Sequence, residues 1–169
     1  MKADEAWATI DAKADRLEFR VARELRSVNA WQGRHWTVKN RERQGWEDAL
    51  THALCLTAGA QSVGSVLFLM NAIPAAKRVC MTKRRVTIQR WAPSKRWFIR
   101  DDDNLAGASK PVLDALKRLG FIRDDRRKWI DLVVASQDVS TDGRFWTLVT
   151  IEPASSTGTD RRTDEQSRR

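Results

Sequence analysis

The sequence predicts a mixed α/β (α+β) domain, a single β-sheet flanked by helices, on three observations. Apolar and polar residues alternate with the period of a strand in several separate places, stretches of helical spacing lie between them, and the two patterns alternate along the chain. With 169 residues there is room for one domain, and a hydrophobic content of 41% with eight Trp is enough to build its core.

Residues 1–16 read as a polar lead-in, a short helix or an arm. Leu17-Glu-Phe-Arg-Val21 then alternates as a half-buried strand. Ser27 to Trp36 is loop-like, with Asn29 and Gly33 as turn residues. From Thr37 to Thr57 the spacing of Val38, Trp46, Ala49, Leu50, Ala53 and Leu54 fits an amphipathic helix, with Thr37 placed to cap it. Residues 58–76 are small and apolar and match no element clearly. Val86 to Trp91 alternates as a strand, Pro93 breaks it, and Trp97-Phe-Ile99 restarts an extended segment. Ser109 is a candidate cap for a helix with Pro111 in its first turn, a stripe of Val112, Leu113, Leu116 and Leu119, and Gly120 as stop. Trp129–Ala135 and Phe145–Ile151 read as two strands, with Asp142-Gly143 as the turn of a hairpin between them. After Pro153 no large apolar residue occurs. The expected organisation is an arm at 1–16, a domain at 17–153 and a disordered polar tail at 154–169, without internal repeats.

The longest apolar stretch, around Val66–Met70, is far shorter than the roughly 20 residues a membrane span requires. The acidic, core-less start Met1–Trp7 does not resemble a secretory signal. Cys55 and Cys80 form no CxxC pattern, and His35 and His52 are the only histidines, so a zinc site is not expected. Two free thiols fit a reducing, cytoplasmic compartment.

Lys and Arg number 31 against 22 Asp and Glu, a formal charge of +9. The excess is concentrated: Lys77, Arg78, Lys83, Arg84, Arg85, Arg90, Lys95, Arg96 and Arg100 occur without an intervening acid. Arg123, Arg126, Arg127 and Lys128 form a second basic group. Such flanks suit a polyanion, each phosphate contact releasing counterions, although a solvated basic surface explains the charge equally well. Trp residues interleave with these groups. Each could stack on an unpaired base, but core or subunit-interface positions are the commoner use.

Between the basic groups stand Asp101-Asp102-Asp103, and Asp124-Asp125 follows the second helix. Asp101 and Asp103, two apart on an extended segment, should project to one side. A helix folding back on that segment could return Asp125 to them. Two carboxylates about 4 Å apart repel by roughly 4 kcal/mol at an effective dielectric near 20, so three together call for a cation or a bound proton. All-oxygen ligation suits Mg²⁺ or Mn²⁺. An EF-hand is excluded by Leu105 at a ligand position. The alternative is that these are capping and surface acids balancing nearby arginines.

The run from Arg100 through Asp101-Asp-Asp-Asn104, Lys110, Leu113-Asp-Ala-Leu116 and Gly120 to Asp124-Asp125 resembles the signature of the RusA family of Holliday-junction resolvases. Ser27-Val-Asn29 and His35-Trp36 are similar, more weakly, to the family's N-terminal loop. The resemblance implies a Mg²⁺-dependent endonuclease (Mn²⁺ possible in its place) that acts as a homodimer on four-way DNA junctions, nucleoid-associated and compatible with a prophage source. It makes Asp101, Asp103 and Asp125 the expected metal ligands, Lys110 the catalytic lysine, and Asn104, Asp114 and Asp124 supporting residues. Lys83, Arg84, Arg85, Arg100, Arg126, Arg127 and Lys128 would then grip the DNA. The sequence departs from the family's shortest form in a longer stretch between Asn104 and Lys110 and in lacking a proline-rich loop start, and residues 58–80 have no recognised counterpart. The rivals are a DNA-binding module without catalysis and a basic adaptor that binds RNA.

Overall fold

The computed structural model describes residues 6–11, 15–30, 33, 35–58, 82–134 and 137–154. Residues 58–76 lie almost wholly outside the described part, as do Cys80 and the expected tail from 155 on. Among the described residues the chain forms strands β1 (Trp7–Asp11) and β2 (Arg16–Val21), helix α1 (Trp36–Ala58), strand β3 (Arg84–Ala92), helices α2 (Asp102–Ala108) and α3 (Lys110–Arg118), and strands β4 (Ile130–Val134), β5 (Asp138–Val139) and β6 (Trp146–Pro153). They build one mixed sheet in the order β1-β2-β6-β3-β4, with β5 also pairing β3. The expected fold class is the one observed.

Alternation along β2 and β3 sets which face is covered. Leu17, Phe19 and Val21 of β2 are buried, as are Val86 and Ile88 of β3 and Val149 and Ile151 of β6. Trp46, Leu50, Ala53 and Leu54 of α1 and Val112 and Leu116 of α3 join them in one core. The Phe19 and Phe121 rings meet edge to face at 5.1 Å, a favoured aromatic geometry. Helix α3 ends at Gly120, which has a left-handed φ of +81°. Gly120 N donates to Lys117 O at 3.1 Å and Phe121 N to Leu116 O at 2.9 Å, the double closure that a glycine after the last turn permits.

Several expectations are corrected. The lead-in contains β1, whose residues 7–11 pair antiparallel with β2, Trp7 opposite Arg20 and Asp11 opposite Arg16; a polar composition hid a strand in which Ala8 is deeply buried. Helix α1 begins a residue early, and His35 rather than Thr37 stands at its cap, with Thr37 N donating to His35 Nδ1 at 3.4 Å. Its first two turns overhang the core and leave Trp36 and Val38 exposed. No hairpin joins Trp129–Ala135 to Phe145–Ile151. Strand β4 pairs parallel to β3 from Arg84 opposite Ile130, whereas β6 pairs antiparallel to β3 on its other side. The cause is the crossover: α2 and α3 carry the chain across the sheet and return it in the direction of β3, which a tight turn cannot do. The turn at Asp142 exists, its carboxylate accepting from Arg144 N at 3.0 Å and Trp146 Nε1 at 2.7 Å, but it leads from β5 into β6.

Candidate functional site

The segment that carries the acidic run is held from beneath by a buried arginine. Arg90 lies on the same face of β3 as Val86 and Ile88 and is 2% exposed. Charge placed there is tolerated because its donors are used. Nε donates to Leu25 O at 2.9 Å, Nη1 to Trp97 O at 2.9 Å and to Gln137 Oε1 at 3.0 Å, and Nη2 reaches Glu24 Oε1 at 3.5 Å. Burial still draws its pKa below the usual value, against the opposing charge of Glu24. Gln137 in turn grips the backbone of Ile99, accepting from its N at 3.0 Å and donating to its O at 2.8 Å. Arg90 and Gln137 thereby tie the chain after β2, the turn at Lys95–Trp97 and the segment leading to Asp101 into one unit.

Asp101 is the N-cap of α2. Its Oδ1 accepts from Asp103 N and its Oδ2 from Asn104 Nδ2, each at 2.9 Å. Asp102 and Asp103 occupy the first turn, where acids complement the helix dipole. Asp103 is exposed, and its carboxylate has no hydrogen-bond or ion-pair partner among the described residues. The expected geometry is corrected here. Asp101 has extended backbone while Asp103 is already helical, so the two are not alternate residues of one strand. Asp is a preferred cap, and the satisfied backbone donors outweigh continuation of the extended segment. Ser109, the expected cap of α3, has helical backbone and makes no side-chain cap bond. Its hydroxyl donates back to Ala106 O, so Ser109 is the joint between α2 and α3.

Across that joint, Lys110 Nζ contacts Asp114 Oδ1 at 2.7 Å and also pairs with Asp125 Oδ2. Burial alone would lower the Lys110 pKa, but the hydrogen bonds to Asp114 and Asp125 overcome it and raise it. The same contact, with the hydrogen bond from Lys110 leading, lowers the Asp125 carboxyl to about 2. Asp124 turns the other way, taking Lys117 Nζ at 3.1 Å and Arg126 Nε at 3.3 Å. Its Oδ1 also accepts from Asp125 N at 2.9 Å.

The structure therefore brings together Lys110, Asp114 and Asp125, and separately Asp101, Asp103 and Asn104. The second group lies at the N-terminal end of α2, with Asp101 as its cap, and Lys110 of the first group begins α3 directly after it. Among the described residues no three acidic, imidazole or thiol side chains gather tightly enough to hold a metal ion. The donors themselves, oxygen alone from Asp101, Asp103 and Asp125, are of the type a hard divalent cation takes, and among the described residues nothing occupies the Asp103 carboxylate.

Two open clefts border these groups. One, of about 370 Å³, is lined by residues that include Ser27, Asn29, Arg96, Arg100, Asp101 and Asn104, so the loop after β2 does face the acidic run. The other, of about 580 Å³, includes Lys83, Asp125, Arg127 and Asp131. Of the expected DNA-gripping residues, Arg100, Arg126, Arg127 and Lys128 are exposed, Arg85 is half-buried, and Lys83 pairs with Asp131 at 2.6 Å. Arg84 is a correction. Its side chain is fully buried, paired with Asp15 Oδ2 and donating to Asp15 O at 2.8 Å, because β3 starts two residues earlier than the alternation from Val86 suggested and places Arg84 on the inner face. Among the tryptophans, Trp46 and Trp146 are core residues while Trp36 and Trp97 are exposed.

Sequence reasoning missed Arg90 and Gln137 as organisers. The parity Val86, Ile88, Arg90 already put Arg90 on the buried face, whereas Gln137, alone between two strands, gave no local signal. No family model and no curated protein matches the chain.

Proposed function

We propose that the chain is a RusA-like, Mg²⁺-dependent endodeoxyribonuclease that acts on four-way DNA junctions as a homodimer. The observation that carries the reading is the pairing of Lys110 with Asp125. The resemblance marks these two residues, 15 positions apart, as catalytic lysine and closing acid, and in the fold they share one site. Two open clefts support it further, one with Arg96 and Arg100 beside Asp101 and one with Lys83 and Arg127 beside Asp125. In this reading Asp101, Asp103 and Asp125 would hold Mg²⁺, or Mn²⁺ in its place, which when bound polarises a phosphoryl oxygen and ionises water. Lys110, kept protonated by its two carboxylates, neutralises charge that develops on the phosphate or leaving oxygen. Asp114 orients Lys110, and Asn104 orients Asp101. A two-fold dimer presents two such sites, matching the approximate two-fold symmetry of a four-way junction.

The test is nicking of a labelled four-way junction with and without Mg²⁺ by wild type and Asp103→Asn in parallel. Wild type should nick only with the metal, and Asp103→Asn should bind the junction and leave it intact. Metal-dependent nicking by Asp103→Asn would refute the site. A second reading, a junction-binding protein without catalysis, is favoured in that Asp101, Asp103 and Asp125 do not form a gathered ligand set among the described residues; salt-dependent binding without nicking by wild type would establish it.

A further inference from the structure

Four arginines converge away from the acidic run. Arg23 and Arg26, from the chain after β2, and Arg41 and Arg43, from the second turn of α1, line an open cleft of about 600 Å³. Among the described lining residues Glu42 and Asp48 are the acids, and Arg43 is already paired with Glu47 at 3.2 Å, which leaves Arg26 and Arg41 as the cations open to a ligand. The inner wall is prearranged. The Arg23 guanidinium lies 5.3 Å from the Trp46 ring centroid and contacts Glu42 Oε1 at 3.2 Å. It also rests on α1 at Gly45, where a Cβ would meet Arg23 Nη2 at 2.5 Å. Gly inside a helix costs up to about 1 kcal/mol relative to Ala, and here it makes room for a seated cation. The outer wall is open: Arg26 is 58% exposed, with Glu24 at 3.4 Å and Glu42 only at 4.0 Å. Arg41 is exposed and has no carboxylate partner among the described residues.

We infer that this cleft is a second docking site for the phosphodiester backbone of a DNA duplex. The inference rests on the nuclease reading and extends it: the segment carrying Arg23 and Arg26 continues into Ser27 and Asn29, which line the cleft at Asp101. A duplex whose scissile phosphate lies at Asp101 can pass over this ridge and lay its backbone against Arg26 and Arg41. Arginine suits the task, because its planar fork of donors matches phosphate oxygens in pairs. A sequence-independent grip of this kind fits a protein that must hold duplex arms of any sequence.

The experiment measures binding of a fluorescein-labelled four-way junction, without divalent metal, across a salt series, for wild type, Arg26→Gln, Arg41→Gln and the double variant. Each single variant should weaken binding roughly fivefold and reduce the slope of log K against log salt by about 1. The double variant should lose both contacts, and nicking at saturating junction should match wild type. Thermal midpoints equal to wild type confirm that the variants are folded. Wild-type binding with unchanged affinity and slope in the double variant would overturn the cleft and leave the nuclease reading standing. Wild type that neither binds nor nicks the junction would overturn both.

Discussion

Lys110 shows how one side chain can hold two carboxylates without becoming a strong structural element. Its ion pairs with Asp114 and Asp125 are solvent-accessible, and exposed pairs contribute at most about 1 kcal/mol. Their effect on protonation is larger than their effect on stability. Asp125 has its pKa lowered from 3.8 to about 2, below its value in the unfolded chain. Such a group adds stability that is complete above about pH 4 and is given up as the pH falls from there through 2. In metal-free buffer, Asp125→Asn should therefore lose less stability than wild type between pH 5 and pH 2.5. Urea midpoints across that range check this, and parallel curves for the two proteins would contradict it. The neutral side chain keeps the size of the original, so the comparison isolates charge.

At the scale of elements, the acidic run is positioned by what lies beneath it. Helix α2 is short, and a seven-residue helix has little stability of its own. Its start is set by the cap at Asp101 and by the clamp of Gln137 on Ile99. Gln137→Ala removes both bonds to Ile99 and one acceptor for Arg90. On the nuclease reading, nicking at saturating junction should fall about tenfold or more, since small displacements of reacting groups are costly, while junction affinity stays within a factor of two. Gln137→Glu keeps the oxygen that accepts from Ile99 N and Arg90 but sets a second oxygen against Ile99 O in place of the donor, so its rate should lie between. Equal rates for all three proteins would mean that the clamp does not position the site. The same scale explains why the run reads either way in sequence: Asp101-Asp102-Asp103 suits a cap followed by an acidic first turn as well as it suits a metal site, and local pattern does not separate the two.

At the scale of the molecule, the sheet is closed at one end by the fully buried Arg84 and its half-buried partner Asp15, which join β3 to the β1–β2 connection. Removing one partner of such a pair strands a buried charge. Asp15→Ala is expected to lower stability by about 2 kcal/mol, less than the loss from a fully buried pair because Asp15 is half-buried, and Asp15→Ala with Arg84→Met should recover part of it, as denaturant unfolding would show. A double variant no more stable than Asp15→Ala would mean that the loss comes from the Asp15 backbone conformation, whose φ is +50°. The periodicities by themselves determined the inner faces of β2 and β3, the buried stripes of α1 and α3 and the stop at Gly120, because each is a matter of spacing within one element. The alternation around Arg84 and Arg90 also carried their burial, but the net positive charge of the segment drew them to the surface in expectation. Only the tertiary structure decided that β4 and β6 lie on opposite sides of β3, that Gln137 grips Ile99, and that Lys110 meets Asp125 at one end of α2 while Asp101 stands at the other. Strand order and long-range contacts follow from how the crossover packs on the sheet, and that packing depends on the whole core at once rather than on any window of residues.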